Sequence, residues 1–597
     1  MSNSTVLIVG GTGVFGSRLA MALLKEPGLE VIVAGRDLGA AEAFCQRHGG
    51  RAVRLDRTAP DLSRQVASLG PGIVIDAAGP FQGYGPAPYA LAEAALACGV
   101  HYLDLSDDAE FTLGIAALDE AARRRGVTLL SGASSVPALS SAAVEDLAQG
   151  LADIHLIESV ILPGNRAPRG LSVMRAILAQ AGQPMRIWSG GRWAEARGWS
   201  QPRREMLQVP SLAPLPPRWS SLIGAPDLRL FPARYRARSV RFRAGLELPV
   251  LHHGLGALAW LARLRLLRSL EGLVVPLRWM AERLASLGTD RGGMEVRVLG
   301  TRADGSAVLR RWTLIAEAGD GPHVPALAAR VLVGRLRAGT VAPGARPCLG
   351  EVTVHEVEHM ASDLRLGFAR AETPETTLFE KALGPAFAEL PGPVRDLHAV
   401  LDERNWTGLA AVARGPSTLA WLVCAVIGFP RAGTDIPVSV RMRRVGADEV
   451  WDRTFAGRRF RSVLSPGGPA GSGLVQERFG PFRFEIALSS DRGGLRYPVR
   501  RGTVLGIPLP RSLLPRSDTV EGAGGPNASF DVAISLPWIG DVVRYRGTLR
   551  PWADGRAESS DGSLPHRGRK PSDLLLGLDE SAQAGMARKG LDQGQHP

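Results

Sequence analysis

Lysine is almost missing from this chain. Four lysines, Lys25, Lys381, Lys570 and Lys589, stand among 71 basic residues in 597, so the formal charge of +13 is carried by arginine. A bias toward arginine together with abundant Ala, Gly and Pro reads as genome composition. No basic module interleaved with aromatics is present, so nucleic acid is not an expected partner. Cysteine is also scarce: Cys45, Cys98, Cys348 and Cys424 have no paired spacing, which excludes a disulfide scaffold and a cysteine zinc site. Long apolar runs are lacking, since Leu248–Ala262 and Pro416–Pro430 are each shorter than the ~18–20 residues a membrane-spanning helix needs. No basic leader with an apolar segment precedes Thr5, so no secretory signal is expected. The expected location is cytoplasmic, with peripheral attachment to a membrane as the alternative.

What is present is ordinary globular sequence, 45% apolar and 22% charged, over a length that one core cannot organise. Residues 5–130 alternate strand and helix patterns. "TVLIV", "EVIVAGR", "RAVRLD", "PGIVIDAAGP", "VHYLDLS" and "VTLLSG" read as strands, with helical stretches such as 16–25 and 38–48 between them. That alternation predicts an α/β domain with a parallel sheet covered on both faces, over residues 1–135. Residues 136–370 change to an α+β pattern, a substrate or oligomerisation domain. It contains two-residue alternation in "RYRARSVRFRAG" and a hairpin turning at Asp304-Gly305. Residues 375–552 repeat short strands punctuated by Gly, Pro and Asp, a β-rich antiparallel sheet, open or barrel-like. Residues 553–597 turn to Gly, Ser, Asp, Arg and Gln and read as a disordered tail.

The densest signal follows the first strand. Gly11-Thr12-Gly13-Val14-Phe15-Gly16 fits the G-x-G-x-x-G spacing at the start of a full strand–helix series, the context that gives this motif meaning. Gly11 suits the tight turn, Gly13 lets the backbone approach a pyrophosphate, and Gly16 lets the helix pack on the sheet. Gly10 through Gly16 are thus the expected dinucleotide cradle of a Rossmann-type domain; a glycine turn that merely packs is the alternative. The second strand ends in Ala34-Gly35-Arg36. An arginine there is placed to pair with a 2′-phosphate, which points to NADP, while Asp37 one place later keeps NAD as the lesser alternative. Asp56, closing the third strand, should meet the adenine, and Ala78, Gly79 and Pro80 should run beneath the nicotinamide half.

"GGTGVFGSRLA", "VIVAGR", "VIDAAGPFQGYGPAPYALAEAALACGVHYLDLSDDAEF" and "LLSGASSVP" together resemble the saccharopine dehydrogenase-like NADP-binding family. The resemblance spans residues 5–145 and continues weakly through "GARPCLGEVTVHE". It implies a nicotinamide-dependent oxidoreductase, related to saccharopine reductases and trans-acting enoyl reductases. Where members carry Thr-Gly-Glu after the fifth strand, this chain has Ser106-Asp107-Asp108. Pieces such as "WDRTFAGRRFRS" and "LPWIGDVVRYRGTL" resemble an uncharacterised domain often fused behind that unit, which implies no activity.

Hydride transfer needs positioning and a proton donor. A tyrosine with a lysine four residues on, the short-chain dehydrogenase pair, cannot be built where no lysine lies between Lys25 and Lys381. The catalytic candidates are Tyr84, Asp104 and Ser106, with Tyr89, His101 and Asp107 nearby. Capping of the following helix by "SDDAE" and core packing of His101 are the bland alternatives. His355-Glu356-Val357-Glu358-His359 matches the zinc-protease pattern letter for letter, but "GEVTV" before it reads as strand and no third ligand is evident, so no metal is expected. Arg234, Arg236 and Arg238 on one strand face, then a stripe from Leu266 to Leu284 near Arg263, Arg265 and Arg268, suggest membrane contact through 234–284 or a buried interface. The reading is an NADP-dependent oxidoreductase acting on an apolar or lipid-related small molecule. The alternatives are an amino-acid reductase of saccharopine type and a non-catalytic NADP-binding scaffold. A homodimer stays open.

Overall fold

The computed structural model describes residues 4–552 apart from 169, 268, 492 and 493. The expected tail 553–597 and the side chain of Arg268 therefore lie outside the described residues.

Strands β1 (Thr5–Val9), β2 (Glu30–Gly35), β3 (Arg51–Arg54), β4 (Ile73–Asp76), β5 (His101–Asp104) and β6 (Thr128–Ser131) form a parallel sheet. The cores of β1 and β4, Val6 to Ile8 and Ile73 to Ile75, are sealed on both faces, which is why they read as unbroken apolar runs. The order across the sheet is β6, β5, β4, β1, β2, β3. Progress along the sheet reverses between β1 and β4, and open α/β sheets bind ligands in the crevice at the carboxyl ends of such a pair.

One strand of this sheet comes from far along the chain. Gly344–Pro347 pairs in parallel with β6, Gly344 facing Thr128, although the sequence reading assigned 136–370 to a second domain. Helix Val324–Arg337 joins it, packing against the helix that follows β1. A single apolar core runs from the first sheet into the second. In it Leu19 and Leu139 share a cluster with Leu327, Val296 and Trp312.

The second sheet is nine-stranded and mixed. Its centre is the long strand Leu151–Leu162, parallel to Val240–Leu246 and antiparallel to Gly292–Arg302. The expected hairpin is present, with strands Gly292–Arg302 and Ala307–Ala316 and Gly305 at φ 84° in the turn. The arginine alternation is corrected. Arg234 lies in helix Asp227–Tyr235, Arg236 ends it at φ 50°, and the strand begins only at Val240. The Leu266–Leu284 stripe is likewise not one helix: Pro249–Arg263 and Val274–Arg283 are separate, as Gly272 and Pro276 between and within them favour.

The third sheet has thirteen strands, antiparallel throughout, over its own core around Trp406, Phe379 and Trp451. Leu488 alone separates strand Phe482–Ala487 from strand Ser489–Asp491, although these stand near opposite ends of the ladder. The sheet therefore curls until its ends meet, barrel-like but without a laddered seam. Arg241 bonded to Asp402 at 2.7 Å and Ser189 to Glu403 at 2.7 Å tie it to the second sheet. No helix among the described residues is long and apolar enough to cross a membrane.

Candidate active site

The turn leaving β1 is shaped by close approach. Gly10 has φ +79°, and a Cβ on it would lie 2.6 Å from the Ala78 Cα; Gly10, rather than Gly11, makes the left-handed bend. At Gly16 a Cβ would fall 2.3 Å from the Gly10 carbonyl oxygen, so helix α1 (Val14–Leu23) can lie against the turn only with glycine there. α1 has no side-chain N-cap and no acid in its first turn. Helices starting at Leu38 and Ala109 are capped by Asp37 and Asp108 instead. An uncapped helix start offers its amides and its positive dipole end to an anion.

Around this cradle, Thr12, Gly13, Val14, Phe15, Arg36, Asp56, Ala78, Gly79 and Pro80 line one crevice. Arg36 is exposed and has no ion pair among the described residues. Asp37 gives its carboxylate to the Ala40 amide at 3.0 Å, which leaves Arg36 as the free charge at the end of β2. Asp56 accepts from the Thr58 amide and hydroxyl at 3.0 and 2.8 Å. Those bonds, with Arg36 and Arg57 nearby, hold its carboxyl below the usual range.

The crevice continues into a chamber. Together they form one cavity of about 1410 Å³, whose far half is walled by helices Leu171–Gln180, Pro249–Arg263 and Val274–Arg283 and by the inner face of the second sheet. Met174, Ile177, Leu255, Leu258, Phe242 and Met294 make its lining chiefly apolar. A typical small-molecule pocket is roughly 300–1,000 Å³, so this space exceeds what a coenzyme alone requires.

The three catalytic candidates separate here. Asp104 is fully buried beneath the crevice, and one oxygen accepts from the Gly132 amide, the Ser106 amide and the Ser131 hydroxyl at 2.8 to 3.0 Å. Burial pushes its carboxyl up to about 7, but it stitches β5 to β6 and does not line the cavity. Ser106 is buried too, bonded to Asp108 and Thr112. Neither lines the cavity; at the end of a sealed strand both are engaged by neighbouring backbone amides and hydroxyls. Tyr84 does line the cavity, yet its hydroxyl donates to Asp76 at 2.9 Å. Burial and that carboxylate push the hydroxyl far up, away from ready proton loss.

Asp107 is the carboxylate after β5 that faces the space. It is open to the cavity while protein surrounds it, burial raises its carboxyl, and Gln82 lies 3.5 Å away. His101 accepts the Thr128 amide with Nδ1 at 3.1 Å, and Tyr89 donates to the Phe111 carbonyl at 2.7 Å; neither reaches the cavity. Two charged neighbours of Tyr84 escaped the sequence reading. Arg57 lies 3.3 Å over the Tyr84 ring and donates to its carbonyl. Asp76 closes β4 with a buried carboxyl pushed up to about 6, and the acid ending the apolar "IVID" was its visible sign.

His355 and His359 are exposed on helix Val354–Met360, which begins where a strand was expected. Glu356 is taken up in a capping box with Thr353. Among the described residues no group of three His, Cys, Asp or Glu is arranged to hold a metal ion.

Residues 6–130, the stretch holding the cradle and β1 to β6, match the family described as the saccharopine dehydrogenase NADP binding domain. The match lies in the N-terminal unit alone. Further along, residues 390–549 match a domain of unknown function, DUF4166. Among solved structures part of the chain is similar to the L-Glu-forming saccharopine dehydrogenase of Saccharomyces cerevisiae, at 13% identity and TM-score 0.45, covering 62% of this chain and 100% of that one. It is similar also to biliverdin reductase from Synechocystis sp. PCC 6803, at 12% identity and TM-score 0.29, covering 60% and 95%. A third likeness is to a probable dehydrogenase from Thermotoga maritima, at 9% identity and TM-score 0.31, covering 61% and 98%. No curated protein sequence matches.

Proposed function

We propose that this chain is an NADP-dependent oxidoreductase whose substrate is apolar and lipid-like. The observation that carries the proposal is the single cavity, in which the nucleotide crevice opens without a partition into an apolar chamber. The match to an NADP-binding domain supports the coenzyme class. The free Arg36 beside a committed Asp37 supports NADP over NAD.

Bound NADPH would supply a hydride. The chain's own share is then positional. The α1 amides and Gly13 backbone hold the pyrophosphate, Arg36 meets the 2′-phosphate, and the apolar chamber excludes water and orients a long substrate. Asp107, raised by burial and open to the cavity, is placed to hold a proton for the reacting oxygen or nitrogen. Helices Pro249–Arg263 and Val274–Arg283 expose Trp260, Val275 and Trp279 on their outer side, and this supports entry of a lipid from a membrane through 234–284.

NADPH oxidation, followed with carbonyl, imine and enoyl compounds on long alkyl chains and with short amino- and keto-acids, tests the reading. Turnover confined to amino- or keto-acids would install the saccharopine-type alternative. One observation favours a non-catalytic scaffold: Asp104 and Ser106 are walled off and Tyr84 is occupied. Tight NADPH binding with no oxidation by any class would establish that reading.

A further inference from the structure

The C-terminal sheet gathers uncovered apolar side chains at one rim. The ladder determines which rim. Helix Thr418–Ile427 joins the end of strand Glu403–Arg414 to the start of strand Gly433–Val445. Strand Gly540–Pro551 runs antiparallel to the first of these with Val543 facing Arg414, so the turn holding Trp538 stands beside that helix. Cys424 Sγ, 3.5 Å from the Val542 carbonyl, confirms the adjacency. Each strand from Gly433 onward reverses its predecessor, which brings the turns at 456–457, 480–481 and 505–506 to the same rim. Arg516, facing Ser535, starts its strand there as well.

The side chains at this rim are those that water should not find. Trp538 is 89% exposed, Leu505 81% and Val426 74%. Helix Thr418–Ile427 buries Ala420 and Cys424 and turns Leu419, Trp421, Leu422 and Val426 outward. It holds no charged residue, whereas a surface helix in water presents a polar outer face.

Arginine surrounds these tips. Arg431, Arg458, Arg459, Arg511 and Arg516 lie on the rim and none has an ion pair among the described residues, while Asp435, Asp518 and Asp541 are exposed acids near them. Elsewhere on the same sheet several arginines are matched, as Arg544 is with Asp531 and Arg441 with Glu403, while Arg500, Arg546 and Arg550 have no ion pair among the described residues. Apolar tips ringed by uncompensated guanidinium suit the headgroup layer of a bilayer, where tryptophan and leucine enter the acyl boundary and arginine meets phosphate. The described chain ends at the opposite rim, where Pro551 faces Trp406.

We propose that this rim docks the protein on a membrane surface carrying anionic phospholipid. The docking is separate from the oxidoreductase reading and holds whether or not the cavity is catalytic.

The test is flotation of the full chain with vesicles of phosphatidylcholine alone and of an equimolar mixture with phosphatidylglycerol. Expected is binding to the mixed vesicles that weakens with salt. Leu505→Ser, Ile507→Ser and Trp538→Ser combined, all at turn tips, should weaken it about tenfold or more. Arg431→Glu, Arg511→Glu and Arg516→Glu combined should abolish the preference for phosphatidylglycerol. Circular dichroism and melting temperature should match the parent chain. Failure to float with either vesicle overturns the proposal. So does binding that only Trp260→Ser with Trp279→Ser reduces, which would place the contact on the helices over the cavity. A dimer in light scattering that the turn-tip variant dissociates, with vesicle binding unchanged, would make the rim a self-interface and equally overturn it.

Discussion

Replacing Arg36 with alanine tests the coenzyme reading most directly, because the side chain has little else to do. It is exposed and unpaired, so its loss deprives only Asp56 of a nearby charge and should leave the fold untouched. A guanidinium ~4 Å from a phosphate, at an effective dielectric between surface and bulk values, is worth ~1–4 kcal/mol. A charge-assisted hydrogen bond contributes ~1.5–3 kcal/mol. The two descriptions overlap rather than add, and salt screens the exposed part. NADPH affinity should therefore fall roughly 10- to 100-fold, equivalent to ~1.4–2.8 kcal/mol. NADH, lacking the 2′-phosphate, should change by no more than about twofold. Fluorescence titration of both coenzymes at low and high ionic strength reads all of this. The parent preference for NADPH should shrink with salt, and the variant should show little preference to lose. Equal losses for the two coenzymes, or a parent chain that prefers NADH, would refute the reasoning.

Gly16→Ala forces a Cβ against the Gly10 carbonyl oxygen. The overpacking should cost about 1–3 kcal/mol and, by shifting α1, weaken NADPH and NADH alike in the same titration. Asp107→Asn should lower turnover and flatten its pH profile while NADPH affinity stays unchanged; equal turnover would remove Asp107 from the chemistry. Leu255→Trp fills part of the chamber and should raise KM for long-chain substrates more than for short ones, which paired kinetics would show. Asp227 is buried between the Ser140 and Ser159 hydroxyls at 3.0 Å each, and burial pushes its carboxyl up to about 7. The folded state therefore holds a proton that the unfolded chain has released, and stability must fall as pH rises from about 4 to 7. Asp227→Asn should remove a decline on the order of 4 kcal/mol from denaturant curves across that window; parallel curves for parent and variant would contradict it.

The nucleotide layer could be read from sequence because its signals are local. β1 and β4 are apolar runs and Gly10 to Gly16 mark a turn, each legible within a few residues, as is the Asp304-Gly305 hairpin of the second sheet. Which candidates face the cavity depended on neighbours from elsewhere. Asp104 and Asp107 are three places apart at the same strand end, and only the packing of β6 decides that one is sealed while the other faces the cavity. The Arg234–Arg238 alternation mimicked a strand, but Pro232 and Phe231 sit in a helix packed on the sheet, so tertiary burial overrode the pattern. The chamber itself has no motif. Its walls are apolar residues on three helices, indistinguishable in sequence from ordinary core.

The late strand Gly344–Pro347 has a bearing on how this molecule comes into being. Its partner β6 emerges from the ribosome more than two hundred residues earlier, and helix Val324–Arg337, which covers α1, is made just before it. Until translation passes that point, β6 keeps an unpaired edge and α1 an uncovered flank, surfaces prone to sticking to other chains. A fragment stopped at residue 135 would keep both permanently, so excision of the coenzyme-binding layer for separate expression should end residues later than its motifs advertise, or carry the strand back by fusion.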